Sequence, residues 1–274
     1  DASAEEISNP LHVIDGQSIA ADASQSIGAS LQGLVGVSSS DYGSAVGQPI
    51  IRGMSGSRVK VLNNGIVVRD VSGLGPDHIN EVDLNNIQQI EVVRGPSSLL
   101  YSNGTIGGIV NVVDNTIARK DILESEFKLG LEAQSVNDGD SHDFSYQNNL
   151  GGLNISLAYK DSNFDDFEIP HGAVIHHEDE HEDHDGEEGE EHDDHDEEGH
   201  EDELDSLPNS DVASTSKRLG ISKTGDWGYV GISYRDNENL YGIPFHGEGN
   251  EGHEDEDGHE DEGEHAGERI FSST

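Results

Sequence analysis

"IEVVRGPSSLLYSNGTIGGIVNVV", residues 90–113, holds two apolar runs separated by residues that cannot continue a strand. Ile90-Glu91-Val92-Val93-Arg94 is rich in β-branched residues and reads as a strand. Gly95-Pro96-Ser97 breaks it, since proline lacks the N–H that a ladder needs, and a short helix through Leu99, Leu100 and Tyr101 is predicted next. Gly107–Val113 is almost continuously apolar, which predicts a buried strand.

Working towards the N-terminus, Arg58–Leu62 and Ile66–Arg69 form a predicted hairpin, with Asn63-Asn64-Gly65 supplying residues that tolerate positive φ. Pro49–Gly53 is a further extended segment. Asp22 or Ser24 is placed to cap a short helix whose apolar positions Ile27, Leu31 and Leu34 fall at i, i+4 and i+7. Residues 1–120 therefore read as one compact mixed α+β domain.

Working towards the C-terminus, the pattern changes after residue 121. Phe127, Leu129, Leu131 and Ala133 alternate with Glu126, Lys128, Gly130 and Glu132. Phe144, Tyr146 and Leu150 continue in that style to a turn at Gly151-Gly152. Leu153, Ile155, Leu157 and Tyr159 follow, then Leu219 and Ile221, then Val230, Ile232 and Tyr234 after a turn at Gly225–Gly228. About five two-faced strands result, joined by tight turns at one end and by two long loops, about 166–212 and 237–270, at the other. Short turns opposite long loops is the plan of a transmembrane β-barrel, with loops outside and turns in the periplasm. A soluble sheet packed on one face also alternates and is the competing fold. Such barrels have an even strand number, from about eight up, so residues 121–274 are expected to be the N-terminal part of a longer barrel. A chain that opens at Asp1 without Met or an apolar leader is likewise expected to be processed or trimmed. No apolar run approaches the roughly 20 residues of a membrane helix.

The two long loops contain His176–Glu203, with 7 His and 18 carboxylates in 28 residues, and His246–Glu268, with 4 His and 11 carboxylates in 23. Such sequence lacks the apolar side chains that build a core. The tracts carry no Lys or Arg and hold 29 of the 57 acidic residues behind the net charge of −43. That charge repels nucleic acid and concentrates cations. Cysteine is absent, so metal would be held by nitrogen and oxygen alone. His176, His177, His181, His184, His192, His195 and His200 in the first tract, and His253, His259 and His265 in the second, are candidate ligands. Imidazole mixed with carboxylate suits Zn²⁺, and also Ni²⁺ or Cu²⁺, better than Ca²⁺. A solvated acidic loop would need the acids but not 11 of the 15 histidines. The glycines between them predict several weak, exchanging sites.

Three strings carry a family resemblance: "SIGASLQGLVGVSSSDYGSAVGQPIIRGMSG" (26–56), "RVKVLNNGIVVRD" (58–70) and "INEVDLNNIQQIEVVRGPSSLLYSNGTIGGIVNVVDN" (79–115). They resemble the plug domain of TonB-dependent outer-membrane receptors, and residues 121–274 resemble the first barrel strands of such receptors. "GLGPDHINEVD" (73–83), with the His-rich loops, resembles the zinc-uptake branch. That resemblance implies a discrete metal site at the outer surface of the plug, to which Asp77 and His78 contribute with barrel residues. On spacing alone, Asp77-His78 would be a turn with a surface histidine. The short segment through which the family touches TonB is not found upstream of "EEISNPLHVIDG".

The expected protein is a Gram-negative outer-membrane receptor that captures zinc, or nickel or copper, on its acidic loops. The ion would pass through a plugged barrel with energy from a TonB-type inner-membrane complex. Its expected partners are the metal and outer-membrane lipid, without an organic cofactor and without nucleic acid. No nucleophile–base motif, phosphate loop or dinucleotide fingerprint is present, so an enzyme is not expected. A receptor for a siderophore or haem chelate and a soluble metal buffer are the alternatives. Arg52, Arg58, Arg69 and Arg94 are read as structural ion-pairing residues of the plug.

Overall fold

The computed structural model describes residues 11–22, 25–43, 46–69, 71–100, 105–171, 173, 205–244 and 269–274. The N-terminal half contains strands β1 (Leu11–Asp15), β2 (Val37–Asp41), β3 (Gly47–Ile51), β4 (Val59–Asn63), β5 (Ile66–Val67), β6 (Ile87–Arg94) and β7 (Gly108–Asp114), with one helix, α1 (Gly16–Asp22). Five of these strands make a sheet in the order β1-β6-β7-β4-β5, and β2 and β3 pair as a separate hairpin. β4 and β7 run parallel, and the other pairs are antiparallel.

The quoted stretch holds the centre of this sheet. Ile90, Val92, Val110 and Val112 are fully buried against Leu31 and Ile51, as two strands covered on both faces require. The β4–β5 turn has Asn64 at φ 51° and Gly65 at φ 84°, the pair of positive values that a two-residue hairpin demands. Residues 95–100 form a 3₁₀ helix.

Among the described residues, the helix expected after Asp22 or Ser24 is absent. α1 instead precedes that point, capped by Asp15, whose carboxylate accepts from the Gln17 and Ser18 backbone N–H groups at 3.1 and 3.0 Å. Ile27 and Leu31 do enter the core, but from turns and a 3₁₀ segment at Ala29–Leu31. Gly28 explains the difference: a Cβ there would lie 2.6 Å from the Gly47 carbonyl oxygen, and its own N–H donates to that oxygen at 2.8 Å. The segment is tied to β3 rather than to a helical ladder.

The C-terminal half is a meander of long strands: β8 (Glu126–Gln134), β9 (Gly139–Leu150), β10 (Leu153–Phe164), β13 (Val212–Gly225), β14 (Gly228–Gly242) and β15 (Arg269–Ser273). A short hairpin, β11 (Phe167–Glu168) with β12 (Ser206–Leu207), stands between β10 and β13. The long strands form one sheet, β15-β14-β13-β10-β9-β8, antiparallel throughout. The expected five strands are present and longer than the alternation alone marks; β14 runs through 237–242, and β15 adds a sixth strand after the second tract.

This sheet is inverted relative to a soluble one. Its apolar row faces outward, with Phe127 66%, Leu131 79% and Ile232 74% exposed. Its polar row is buried against the N-terminal domain, where Ser145 is 3%, Asn154 1% and Ser222 2% exposed. A continuous exposed apolar face is what lipid covers, so the competing soluble sheet is set aside. Trp227 and Tyr229 lie at the tight-turn end of the belt, and Tyr159 stacks on Phe144 with ring centroids 5.9 Å apart further along. Among the described residues no helix is long and apolar enough to cross a membrane.

Candidate functional site

The N-terminal domain is held to the inner face of the wall by charge at one level and by apolar contact at another. Arg218 on β13 and Arg235 on β14 are direct cross-strand partners, an arrangement that repels unless anions intervene. Asp83 and Asp114 of the plug-like domain intervene. Asp114 Oδ2 lies 2.6 Å from Arg235 Nη2 and 3.7 Å from Arg218 Nη1, and Asp83 Oδ2 lies 3.1 Å from Arg218 Nη2. Burial works to raise the Asp114 pKa, but Arg235, Arg218 and the Thr116 N–H outweigh it and hold the carboxyl below its ordinary range. The sequence points to the plug's own arginines for such pairs; in the structure the wall supplies the arginines. Arg94 instead donates to the Val35 carbonyl at 2.6 Å from a buried position, and burial beside Arg52 lowers its pKa.

Towards the opposite end of the wall from the tight turns, an apolar cluster joins the two halves. Val46 and Ile79 pack with Phe164, Val212, Tyr241 and Ile243. Directly beside it runs the segment Val71–His78. Its carbonyls are gathered by one buried side chain, Gln48 on β3, whose amide nitrogen lies 3.1, 2.6 and 2.9 Å from the oxygens of Ser72, Gly75 and His78. The Asp77 carboxylate folds back over Gly75, where a Cβ would sit 2.2 Å from Asp77 Oδ1. His78 is half-buried, and its Nδ1 lies 2.9 Å from the Tyr241 hydroxyl.

Asp77 and His78 are thus adjacent and held on a segment braced by plug and wall. Among the described residues, no group of three or more His, Cys, Asp or Glu is arranged to hold a metal ion. Of the expected ligands, Asp77 and His78 lie on this segment, the carboxylate turned over Gly75 and the imidazole towards Tyr241. The tract candidates His176, His177, His181, His184, His192, His195, His200, His253, His259 and His265 lie outside the described residues.

The roots of both tracts are described, and they meet at this corner. Asn209, just after β12, donates from Nδ2 to the Ile243 carbonyl at 2.9 Å, and Arg269 pairs with Asp211 at 3.2 Å. Ser210 N–H donates to Asp166 at 2.7 Å, and a Cβ on Gly43, at the tip of the β2–β3 hairpin, would touch Ser210 at 3.3 Å. His171 and Asp205 face each other across the neck of the first tract at 3.3 Å. Burial and the neighbouring acids Asp166 and Asp165 raise the Asp211 pKa, with Arg269 opposing them.

Gln48 and Tyr241 were not visible to sequence reasoning, since a glutamine before a proline and a tyrosine in an alternating strand carry no motif. Replacing Gln48 with alanine is expected to free the apical segment, because the part-buried Ser72 and His78 carbonyls lose this donor at a cost of up to about 1–3 kcal/mol each, while the Gly75 carbonyl keeps the His78 N–H at 3.4 Å. Faster amide hydrogen exchange over residues 72–78, with β6 and β7 unchanged, is the result to look for.

Residues 3–109 match the TonB-dependent Receptor Plug Domain family. The chain is 29% identical over 145 residues to the vitamin B12 transporter BtuB of Photobacterium profundum, an alignment covering 52% of this chain and 22% of that protein. Among solved structures it is similar to the copper transporter OprC, with TM-score 0.63 at 15% identity, covering 86% of this chain and 32% of that one. The Serratia marcescens hemophore receptor HasR gives 0.62 at 14% identity, covering 85% and 32%. The FrpB iron transporter of Neisseria meningitidis gives 0.60 at 13%, covering 84% and 32%. The chain spans about a fifth of the B12 transporter and about a third of each structure. At these identities the structures share the fold: a plug domain seated on the antiparallel strands of a barrel wall, here without closure. The outer membrane of the Gram-negative envelope is the location of this arrangement.

Proposed function

We propose that this chain, whose residues 3–109 match the TonB-dependent receptor plug domain, is the plug and first wall strands of a transporter for a divalent transition metal, with zinc the first candidate and nickel or copper next. One observation carries the reading. The roots of both His/Asp/Glu-rich tracts converge on the corner of the wall that braces Asp77 and His78. Ions held weakly on the tracts would therefore be released over the segment carrying the firmer ligands.

The mechanism has three steps. The acidic tracts raise the local cation concentration and exchange metal through imidazole and carboxylate. Asp77 and His78 then take the ion with ligands from the rest of the barrel. A TonB-type inner-membrane complex finally remodels the plug and opens the path to the periplasm.

The test is uptake by cells carrying the complete receptor, supplied with free Zn²⁺, Ni²⁺ or Cu²⁺, or with ferric, haem or cobalamin chelates. Asp77→Ala/His78→Ala is expected to abolish zinc uptake, and deletion of both tracts to reduce it only at low metal. Mild acidification should remove the contribution of the tracts, because imidazolium is not a ligand and protons compete with the metal. Chelate uptake indifferent to all three changes would transfer the protein to the chelate carriers.

A further inference from the structure

We infer that Tyr241 is a positioning residue for metal capture, holding the His78 imidazole through Nδ1 so that Nε2 is the nitrogen presented to the ion. The inference rests on the reading of Asp77 and His78 as metal ligands and adds a residue from the barrel wall to that site.

The geometry is specific. The Tyr241 hydroxyl lies 2.9 Å from His78 Nδ1, and the two rings meet edge to face, 6.5 Å between centroids and 88° between planes. Tyr241 is fully buried in the apolar cluster with Val46, Ile79 and Phe164, so its ring cannot swing away without opening that packing. Its hydroxyl sits at the edge of this cluster, and the histidine it contacts belongs to the other half of the molecule. Imidazole ligands of metals are oriented in this way, by a hydrogen bond to the ring nitrogen that does not bind the ion.

A hydroxyl can fill this role in either protonation pattern of the neutral ring. Neutral imidazole carries one proton, on Nδ1 or on Nε2. With the proton on Nε2, the Tyr241 O–H donates to Nδ1. With a metal on Nε2, the proton belongs on Nδ1, and the hydroxyl oxygen accepts from it. The contact survives both states by rotation of one O–H bond, so the ring keeps its orientation while its ligand changes. Gln48 restrains the same residue from the backbone side, at the His78 carbonyl. His78 is thus restrained twice before the ion arrives, at its backbone carbonyl by the plug and at its ring by the wall.

Tyr241→Phe keeps the ring and its packing and deletes the hydroxyl alone. The experiment measures Zn²⁺ affinity in the complete receptor, using a competing chelator strong enough to strip the weaker tract sites. Co²⁺ is the spectroscopic probe of the apical site, and hydrogen exchange over β6, β7 and residues 71–79 is the control. Zn²⁺ affinity is expected to fall about 10–100-fold, with altered Co²⁺ d–d bands and unchanged exchange protection. His78→Ala is expected to remove the site altogether. Wild-type affinity and Co²⁺ bands in Tyr241→Phe, alongside loss in His78→Ala, would overturn the role of Tyr241 and leave the site standing. Affinity lost together with exchange protection would reduce Tyr241 to a structural contact and equally overturn it. An apical site unaffected by His78→Ala would remove the metal reading itself.

Discussion

Asp114→Ala is expected to cost up to about 3–5 kcal/mol of plug docking, the range for removing one partner of a fully buried ion pair. The Asp114 side chain is 1% exposed and that of Arg218 4%, so water replaces the lost carboxylate only from the side of Arg235, whose side chain is 31% exposed. Arg218 keeps Asp83, but Arg235 loses the partner 2.6 Å away and is left facing Arg218 across the strands. Hydrogen exchange in the complete receptor should show β7 and residues 115–118 losing protection while the outer strands keep theirs. Asp114→Leu combined with Arg235→Met should recover most of the loss, since an apolar pair removes the uncompensated charge. If the single and double variants exchange alike, the pair is not what holds the plug.

The same group fixes the pH response of docking. A carboxyl whose pKa is lowered on folding contributes stability that is present above its unfolded value and lost as pH falls through the folded one. The ordinary value is 3.8 and the folded value lies below it, so docking by Asp114 persists until pH drops under about 4. The metal capture proposed for the tracts needs neutral imidazole, which mild acid removes before it reaches Asp114. Mild acid should therefore empty the tracts and leave the plug seated.

Gly220→Val is the second large effect expected. A Cβ on Gly220 would lie 1.7 Å from the Thr116 carbonyl oxygen and 2.6 Å from its carbon. Both contacts are to backbone, which cannot rotate aside. Residues 115–118, leading from β7 to the wall, lie against Gly220 and Gly231, and the Ser222 hydroxyl donates to the Ala118 carbonyl at 2.8 Å. Any side chain at 220 must displace this segment or the strand, at a cost of at least about 1–3 kcal/mol from overpacking. The measurement is the yield of receptor with a protease-resistant plug after outer-membrane assembly. Wild-type protection in Gly220→Val would show that the plug seats without this close approach.

Much of the fold was legible because its signals are local. The Asn64-Gly65 turn, the buried runs around Ile90 and Val110, and the alternation from Phe127 onward depend on a residue and its immediate neighbours. The helix expected over Ile27, Leu31 and Leu34 failed for a non-local reason: Gly28 is drawn to the Gly47 carbonyl, and the apolar spacing was satisfied by turns instead. β15 was missed because five residues are too few to display a period. Asp77 and His78 came from resemblance, and the structure adds what holds them. Gln48 and Tyr241 act across 30 and 163 positions in sequence, a distance at which no spacing rule operates.

The buried serine face of the wall has a mechanical consequence. Ser145, Ser162, Ser216 and Ser222 line the seam between wall and plug. Small hydroxyls exchange a protein partner for water at a net cost of only about 0.5–1.5 kcal/mol each, and their size offers no ridges to interlock. An apolar core under load resists until it ruptures as a unit. Where hydroxyls alone meet the plug, the seam yields contact by contact as water enters, like a lubricated bearing; the Asp114 ion pairs and the apolar cluster around Tyr241 are the welds that a pull must break as units.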